Sequence, residues 1–178
     1  MPRQDTPRYA EFCCRSNFSF LEGASHPEEL AATASTLGLD GIGLADRNTV
    51  AGVVRLHTAL RDLREQGARV PRYHPGARLV FRDGTPDVLA YPADRRGWGD
   101  LCRLLTLGNR RAEKGQCLLD LADLAARADR LGLVVIPPDG PPAGMVDRLA
   151  GAADVLKSAV GAALPPRLGA PLFRDGHD

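Results

Sequence analysis

The first part of the chain alternates between short apolar runs and amphipathic segments. The run Tyr9–Cys14 is rich in strand-forming residues, and a second apolar run, Ile42–Ala45, ends at Asp46. Between them, "ASHPEELAATASTLG" predicts a helix, because Pro27 suits a first helical position and apolar residues recur at spacings of four and three before Gly38. The segment "VAGVVRLHTALRDLREQG" predicts a second helix. This strand–helix–strand–helix order indicates an α/β fold with a parallel sheet.

The middle of the chain has a different pattern. Two β-rich runs, Leu79–Phe81 and Val88–Tyr91, flank Asp83-Gly84 and predict a hairpin. A helix is expected in "GWGDLCRLLTLGN", ending at Gly108. Another is expected over "LLDLADLAARADRLG", followed by an apolar strand in "LGLVVIPP".

The last part is weakly patterned. It contains two short helical segments, Met145–Ala150 and Ala153–Val160, and an irregular tail, "LPPRLGAPLFRDGHD". The 19 glycines and 14 prolines of the chain exceed average usage and predict a loop-rich protein. We therefore predict one domain over residues 9–138 and a weakly helical to irregular extension over residues 139–178.

Composition excludes several classes. The net charge of +1 provides no bulk field for nucleic acid or an anionic membrane. No apolar run approaches the roughly 20 residues of a membrane span, and the N-terminus lacks an apolar signal core, so we expect a cytoplasmic protein. The four cysteines show no C-x-x-C spacing, and we expect free, mostly buried thiols rather than metal ligands: Cys13, Cys14, Cys102 and Cys117.

Three stretches carry a family resemblance: "SNFSFLEGASHPEEL", "GLADRNTVAGVVRLH" and "GWGDLCRLLTLGNRRAEKG". In this order they resemble the N-terminal PHP (polymerase and histidinol phosphatase) domain of bacterial error-prone C-family DNA polymerases, which are similar to the polymerase III alpha subunit. The resemblance covers roughly Tyr9 to Pro137 and implies a distorted β/α barrel. Since the chain is short of a full barrel and has no palm, thumb or fingers domain, we expect an incomplete, truncated barrel.

The resemblance also implies where metal ligands would lie. Active PHP domains carry His-x-His on the first strand, Asp-His after the next strand and a later acidic residue, and these ligands hold metals that activate water against a phosphoryl group. The corresponding residues here are Cys13 and Arg15, Asp46 and Arg47, and Arg78, so one ligand remains. Three guanidiniums suit an anion, or pairing with Asp46, better than they suit cations. We therefore expect a non-catalytic domain with a structural role in a polymerase of DNA repair and translesion synthesis.

An enzymatic alternative stays open. A metal-dependent phosphoesterase or 3′–5′ exonuclease would need a rearranged ligand set, for which Asp46, His26 and His57 are the candidates, with manganese or zinc as the metal. His26 also fits the start of a helix, and His57 fits a partly buried structural position on one.

Other reactive residues have simpler interpretations. His74 is expected in a loop before proline, and His177 is the second-last residue of the sequence, where we expect disorder. Cys13 as a nucleophile would require a histidine partner and a lowered pKa.

A basic stretch, "GNRRAEKGQ", follows the third predicted helix. Its cations, Arg110, Arg111 and Lys114, fit either a solvated loop or contacts to phosphates of a template backbone in the intact polymerase. The partners that the resemblance implies are the remainder of a C-family polymerase or proteins of translesion synthesis. DNA would be bound only in that context, and a membrane is not expected.

Overall fold

The computed structural model describes residues 8–137, 145–159 and 167–168. These residues form two compact units, the first ending at Gly76 and the second beginning at Ala77. Each unit has its own sheet and its own helices.

The first unit is a three-stranded parallel sheet with helical crossovers. Its elements in chain order are β1 (Ala10–Cys14), α1 (Pro27–Thr36), β2 (Gly41–Leu44), α2 (Val53–Glu65) and β3 (Arg72–Pro75). The strand order is β1-β2-β3, and both pairings are parallel. The predicted α/β class, the two strands and the two helices are confirmed.

Local sequence explains these elements. The backbone N–H of His26 donates to the Glu29 carboxylate at 2.8 Å, which satisfies one of the free donors at the start of α1. The helix ends just before Gly38, whose φ of +67° favours glycine. All four residues of the central strand β2 are buried between β1 and β3, and α1 and α2 pack against each other and bury apolar side chains such as Ala31 and Leu56.

The expectation that His74 lies in a loop is wrong. His74 is in β3, where it pairs with Gly43 in the parallel register. The proline that follows His74 suggested a loop, but a proline at the end of a strand is compatible with pairing, and Pro75 is the last residue of β3.

The second unit contains a mixed four-stranded sheet. Its strands are β4 (Ala77–Leu79), β5 (Asp87–Pro92), β6 (Leu131–Ile136) and β7 (Arg167–Leu168), in that spatial order. The first two pairings are antiparallel and the third is parallel. The helices are α3 (Arg95–Arg110), α4 (Leu121–Ala125) and α5 (Met145–Ala159), with a 3-10 turn at Ala128–Arg130. Within the described ranges, none of these helices, nor α1 or α2, is long and apolar enough to cross a membrane.

The hairpin is present with a shifted first strand. β4 begins at Ala77 and ends at Leu79, so the prediction of a strand over Leu79–Phe81 is wrong for its last two residues. Phe81 instead forms an isolated parallel bridge with Leu119.

The predicted end of α3 at Gly108 is also wrong. The helix continues to Arg110, and Gly108 is buried inside it. A Cβ on Gly108 would lie 2.5 Å from the Cys117 Sγ and 2.8 Å from Leu119. This glycine therefore permits a close approach to the following segment rather than a helix end.

The helix predicted over "LLDLADLAARADRLG" is shorter than expected. α4 stops at Ala125, because Leu131 already begins β6 and pairs with Pro92 of β5. The two short helices predicted after residue 144 are instead one helix, α5. In the tail predicted to be irregular, Arg167–Leu168 form β7, while the rest of the tail, including His177, lies outside the described residues. The predicted boundary at residue 138 stays a prediction.

Candidate functional site

The carboxyl ends of β1 and β2 meet at one edge of the first sheet. The Ala45 N–H donates to the Cys14 carbonyl at 2.8 Å, so the two chains leave the sheet side by side. Arg15 and Ser16 follow β1, and Asp46 follows Ala45 directly. Ligand sites of α/β proteins commonly lie at this edge, because the loops that follow parallel strands converge there.

Asp46 is completely buried at this edge. Its Oδ1 accepts hydrogen bonds from the Ser16 N–H and the Ser19 hydroxyl, both at 2.7 Å, and its Oδ2 accepts one from the Ser16 hydroxyl at 2.7 Å. A buried carboxylate without partners would be strongly destabilising. These three donors therefore compensate the charge from within the protein.

The two serines belong to a compact loop, residues 16–25, which we call the serine loop. Ser19 N–H donates to the Ser16 carbonyl and Gly23 N–H to the Ser19 carbonyl, each at 2.9 Å. A Cβ on Gly23 would lie 2.2 Å from the Ser16 carbonyl oxygen, so only glycine fits this turn. The Ser19 hydroxyl also accepts from the Arg47 N–H at 3.0 Å, which ties the loop to the residue after Asp46.

An ion-pair triad lies beside the buried carboxylate. Glu22 of the serine loop accepts from the Arg15 guanidinium at 3.0 Å and from the Arg47 guanidinium at 2.9 Å. The anion that these arginines meet is Glu22 rather than Asp46, because Asp46 is buried and its described partners are short serine side chains and a backbone N–H. The triad carries one net positive charge.

The segment leading into α2 closes over Asp46. A Cβ on Gly52 would lie 3.0 Å from the Asp46 Oδ2 and 3.2 Å from the Phe18 ring, which leaves little room above the carboxylate. The hydroxyl of Tyr73 donates to the Val53 carbonyl at 3.2 Å. Burial, together with the negative charge of Asp46, raises the pKa of Tyr73, so this hydroxyl stays protonated.

The histidines of the enzymatic alternative are not gathered around Asp46. Over the described ranges, no group of three or more His, Cys, Asp or Glu side chains is arranged to hold a metal ion. His26 is exposed at the start of α1, and His57 is exposed on α2, with its ring centroid 6.4 Å from that of Tyr73. Burial, followed by the positive charge of Arg72, lowers the pKa of His74.

The remaining predicted positions lie in the second unit. Arg78 of β4 forms an ion pair of 2.6 Å with Asp87 of β5. Arg111 forms a bidentate pair with Asp123, at 2.5 and 3.0 Å, so its charge is compensated within the unit. Arg110 and Lys114 are exposed and form no ion pair within the part of the chain that the structure describes.

The four cysteines are free, as predicted, but each is half-buried rather than buried. In the described ranges, Cys13 has no hydrogen bond to a histidine; its N–H donates to the Glu11 carboxylate at 2.6 Å. Burial, with smaller effects from Glu11 and Asp46, raises the pKa of the Cys14 thiol to about 11. These features do not provide the activated thiol that nucleophilic catalysis requires.

We expect the Cys14 thiol to be alkylated by iodoacetamide at pH 8 about 100-fold more slowly in the folded protein than in urea, because so little thiolate is present. The measurement is timed labelling followed by peptide mass spectrometry, in a Cys13→Ser background so that only one of the adjacent thiols reacts. Equal labelling rates with and without urea would contradict the raised pKa.

Sequence reasoning missed the residues that organise this edge. Ser16, Ser19 and Glu22 are the partners of Asp46 and of the two arginines, and none was a candidate. The available signal was their spacing: three polar residues, three apart, within the aromatic stretch "SNFSFLEG".

Comparison with known proteins identifies the family. The sequence model of the PHP domain matches residues 11–164. The chain is 56% identical over 132 residues to an error-prone DNA polymerase of Rhodopseudomonas palustris strain BisB5, covering 74% of this chain and 12% of that protein. It is 51% identical over 174 residues to an error-prone DNA polymerase of Mesorhizobium japonicum, covering 96% of this chain and 14% of that protein.

A solved structure agrees in fold. It is described as a metal-dependent phosphoesterase from Bifidobacterium adolescentis, and it matches with a TM-score of 0.53 at 14% identity, over 83% of this chain and 75% of the other. At this identity the likeness concerns the fold alone. The sequence match and the fold together show that the chain belongs to the PHP domain family, and it spans about one eighth of the length of the polymerases that it matches.

Proposed function

We propose that this PHP domain is non-catalytic and has a structural role within an error-prone DNA polymerase. The observation that carries the proposal is the use of Asp46, the one ligand that remains by the family resemblance, as an acceptor for internal hydrogen bonds. A carboxylate that organises a loop is available to a metal only if that loop opens.

The residues at this edge do not fit the metal cluster that the family implies. Both oxygens of Asp46 already accept hydrogen bonds, and Gly52 leaves little space above Oδ2. Arg15 and Arg47, at two of the family's ligand positions, carry cationic guanidiniums that donate to Glu22 and cannot ligate a metal ion. We derive no catalytic step from this edge.

The matched relatives support a role within a larger polymerase. They are named error-prone DNA polymerases, and this chain corresponds to about 12–14% of their length. In a protein of that kind, the domain would pack against the polymerase core, and DNA would be bound by the whole assembly in repair and translesion synthesis. The exposed Arg110 and Lys114 remain candidates for phosphate contacts there.

The test is a thermal melt of the chelated protein, titrated with manganese or zinc. A metal at 100 times its dissociation constant would add about 2.7 kcal/mol, which raises the midpoint by roughly 5–10 °C for a protein of this size. We expect a cooperative melt whose midpoint moves by less than about 1 °C, and no metal-dependent hydrolysis of a phosphodiester substrate.

The control is Asp46→Asn, which keeps the shape of the side chain and removes its charge. A metal-dependent rise in the midpoint that this variant loses, together with hydrolysis that it also loses, would support the phosphoesterase or exonuclease alternative instead. A rise that the variant retains would point to metal binding elsewhere and leave Asp46 in its structural role.

A further inference from the structure

An apolar groove lies between α2 and β3 in the first unit, and Asp46 is not among its lining residues. Its volume is about 470 Å³, within the range of ligand and peptide sites. Its lining includes Val53, Leu60, Tyr73 and Pro75, and the exposed edge of α2 adds Val54, whose side chain is 70% exposed. Val54 and the groove lining together form a contiguous apolar surface rimmed by polar side chains, which is typical of an interaction site.

The rim of this groove is basic. Arg61 and Arg64 from α2 and Arg72 from β3 line it, and His57 is exposed beside them. Arg61 pairs with Asp62 and Glu65 on its own helix. In contrast, Arg64 and Arg72 form no ion pair with another described residue, so the rim has uncompensated positive charge.

We propose that the α2/β3 groove binds an acidic amphipathic segment of a partner polypeptide. Apolar side chains of such a segment would fill the groove, and carboxylates at its edges would pair with Arg64 and Arg72. This interaction does not depend on the non-catalytic role proposed for the Asp46 edge, because the groove shares no residue with the serine loop or the ion-pair triad.

A polypeptide fits these features better than single-stranded nucleic acid. Binding of unpaired bases relies on aromatic faces on which successive bases stack. Apart from His57, the aromatic residue in the lining is Tyr73, which is half-buried and donates its hydroxyl to the Val53 carbonyl. The apolar lining is mainly aliphatic, which favours leucine-like side chains.

The test uses the whole 178-residue sequence and three fluorescein-labelled ligands, and binding is measured by fluorescence anisotropy. The first is a 16-residue helical peptide with Leu on one face and Glu on the other, the second replaces each Glu by Lys, and the third is a 16-nucleotide oligothymidine. We expect the Leu/Glu peptide to bind at least tenfold more tightly than the Leu/Lys peptide, and more weakly as salt is raised.

Two surface variants locate the binding. Val54→Glu and Arg64→Glu are each expected to weaken the Leu/Glu peptide about tenfold or more, since the first places a like charge at the edge of the groove and the second reverses a rim charge. The matched control is Leu37→Glu, because Leu37 is 68% exposed, as Val54 is, but lies outside the groove. It is expected to change the affinity less than twofold, and circular dichroism checks that all three variants are folded.

Three results would overturn the proposal. Equal affinity for the Leu/Glu and Leu/Lys peptides would show that the basic rim does not select an acidic partner. Unchanged binding in Val54→Glu would place the peptide elsewhere. Binding of oligothymidine that Arg64→Glu abolishes, without binding of the Leu/Glu peptide, would assign the groove to nucleic acid.

Discussion

Replacing Asp46 by Ala is expected to lower the free energy of unfolding by roughly 3–5 kcal/mol. The substitution removes an acceptor from three hydrogen bonds of 2.7 Å and leaves the donors of Ser16 and Ser19 buried without a carboxylate. It also releases the serine loop, and with it Glu22, from its position between the two arginines. The measurement is urea unfolding followed by circular dichroism.

Asp46→Asn provides the graded comparison. The amide oxygen can keep the two bonds made by Oδ1, and the Ser16 hydroxyl can turn to accept from the new NH₂ group, so we expect a loss of only about 1–2 kcal/mol. A stability that decreases from wild type to Asp46→Asn to Asp46→Ala would show that the carboxylate organises the loop. If Ala and wild type unfold at the same urea concentration, Asp46 does not have the structural role that we propose.

Gly23→Ala is expected to cost roughly 3 kcal/mol or more. The new Cβ would lie 2.2 Å from the Ser16 carbonyl oxygen and 2.7 Å from its carbonyl carbon. Because both are backbone atoms, no side-chain rotation relieves the contact, and the whole turn from Ser16 to Gly23 has to open. The same urea titration measures the loss.

The control for this glycine is Gly151→Ala in α5. A Cβ there meets nothing within 4 Å, so the better helix propensity of alanine is expected to stabilise the protein by about 0.5–1 kcal/mol. A similar, small effect of both substitutions would show that the serine loop tolerates a different turn.

The elements that sequence reasoning predicted correctly are those whose signals are local. Pro27 and Gly38 mark the start and end of α1 through their own backbone preferences, and β2 is a short apolar run. The errors arise where a distant segment decides the outcome. Gly108 remains within a helix because Cys117 and Leu119 pack against it, and the strand at His74 forms because β2 is available to pair with it.

In the candidate site, too, some features could be predicted from the sequence and others depend on distant contacts. The family resemblance placed Cys13, Arg15, Asp46 and Arg47 at one edge, and parallel pairing of β1 with β2 does bring these positions together. The resemblance did not predict Glu22 as the partner of both arginines, because that contact depends on how the serine loop folds back toward Arg15 and Arg47. The turn depends on Gly23 and on hydrogen bonds within the loop, which composition and periodicity do not reveal.

The serine loop has a consequence for the order of events during translation. Ser16 and Ser19 precede Asp46 by 30 and 27 residues. At synthesis rates of about 5–20 residues per second, their carboxylate partner leaves the ribosome roughly 1–6 seconds after they do. During that interval the serine loop has Gly23 and its internal backbone hydrogen bonds, but it lacks the buried carboxylate that accepts from Ser16 and Ser19. Emergence of Asp46 and Arg47 therefore sets the earliest moment at which this edge of the sheet can form.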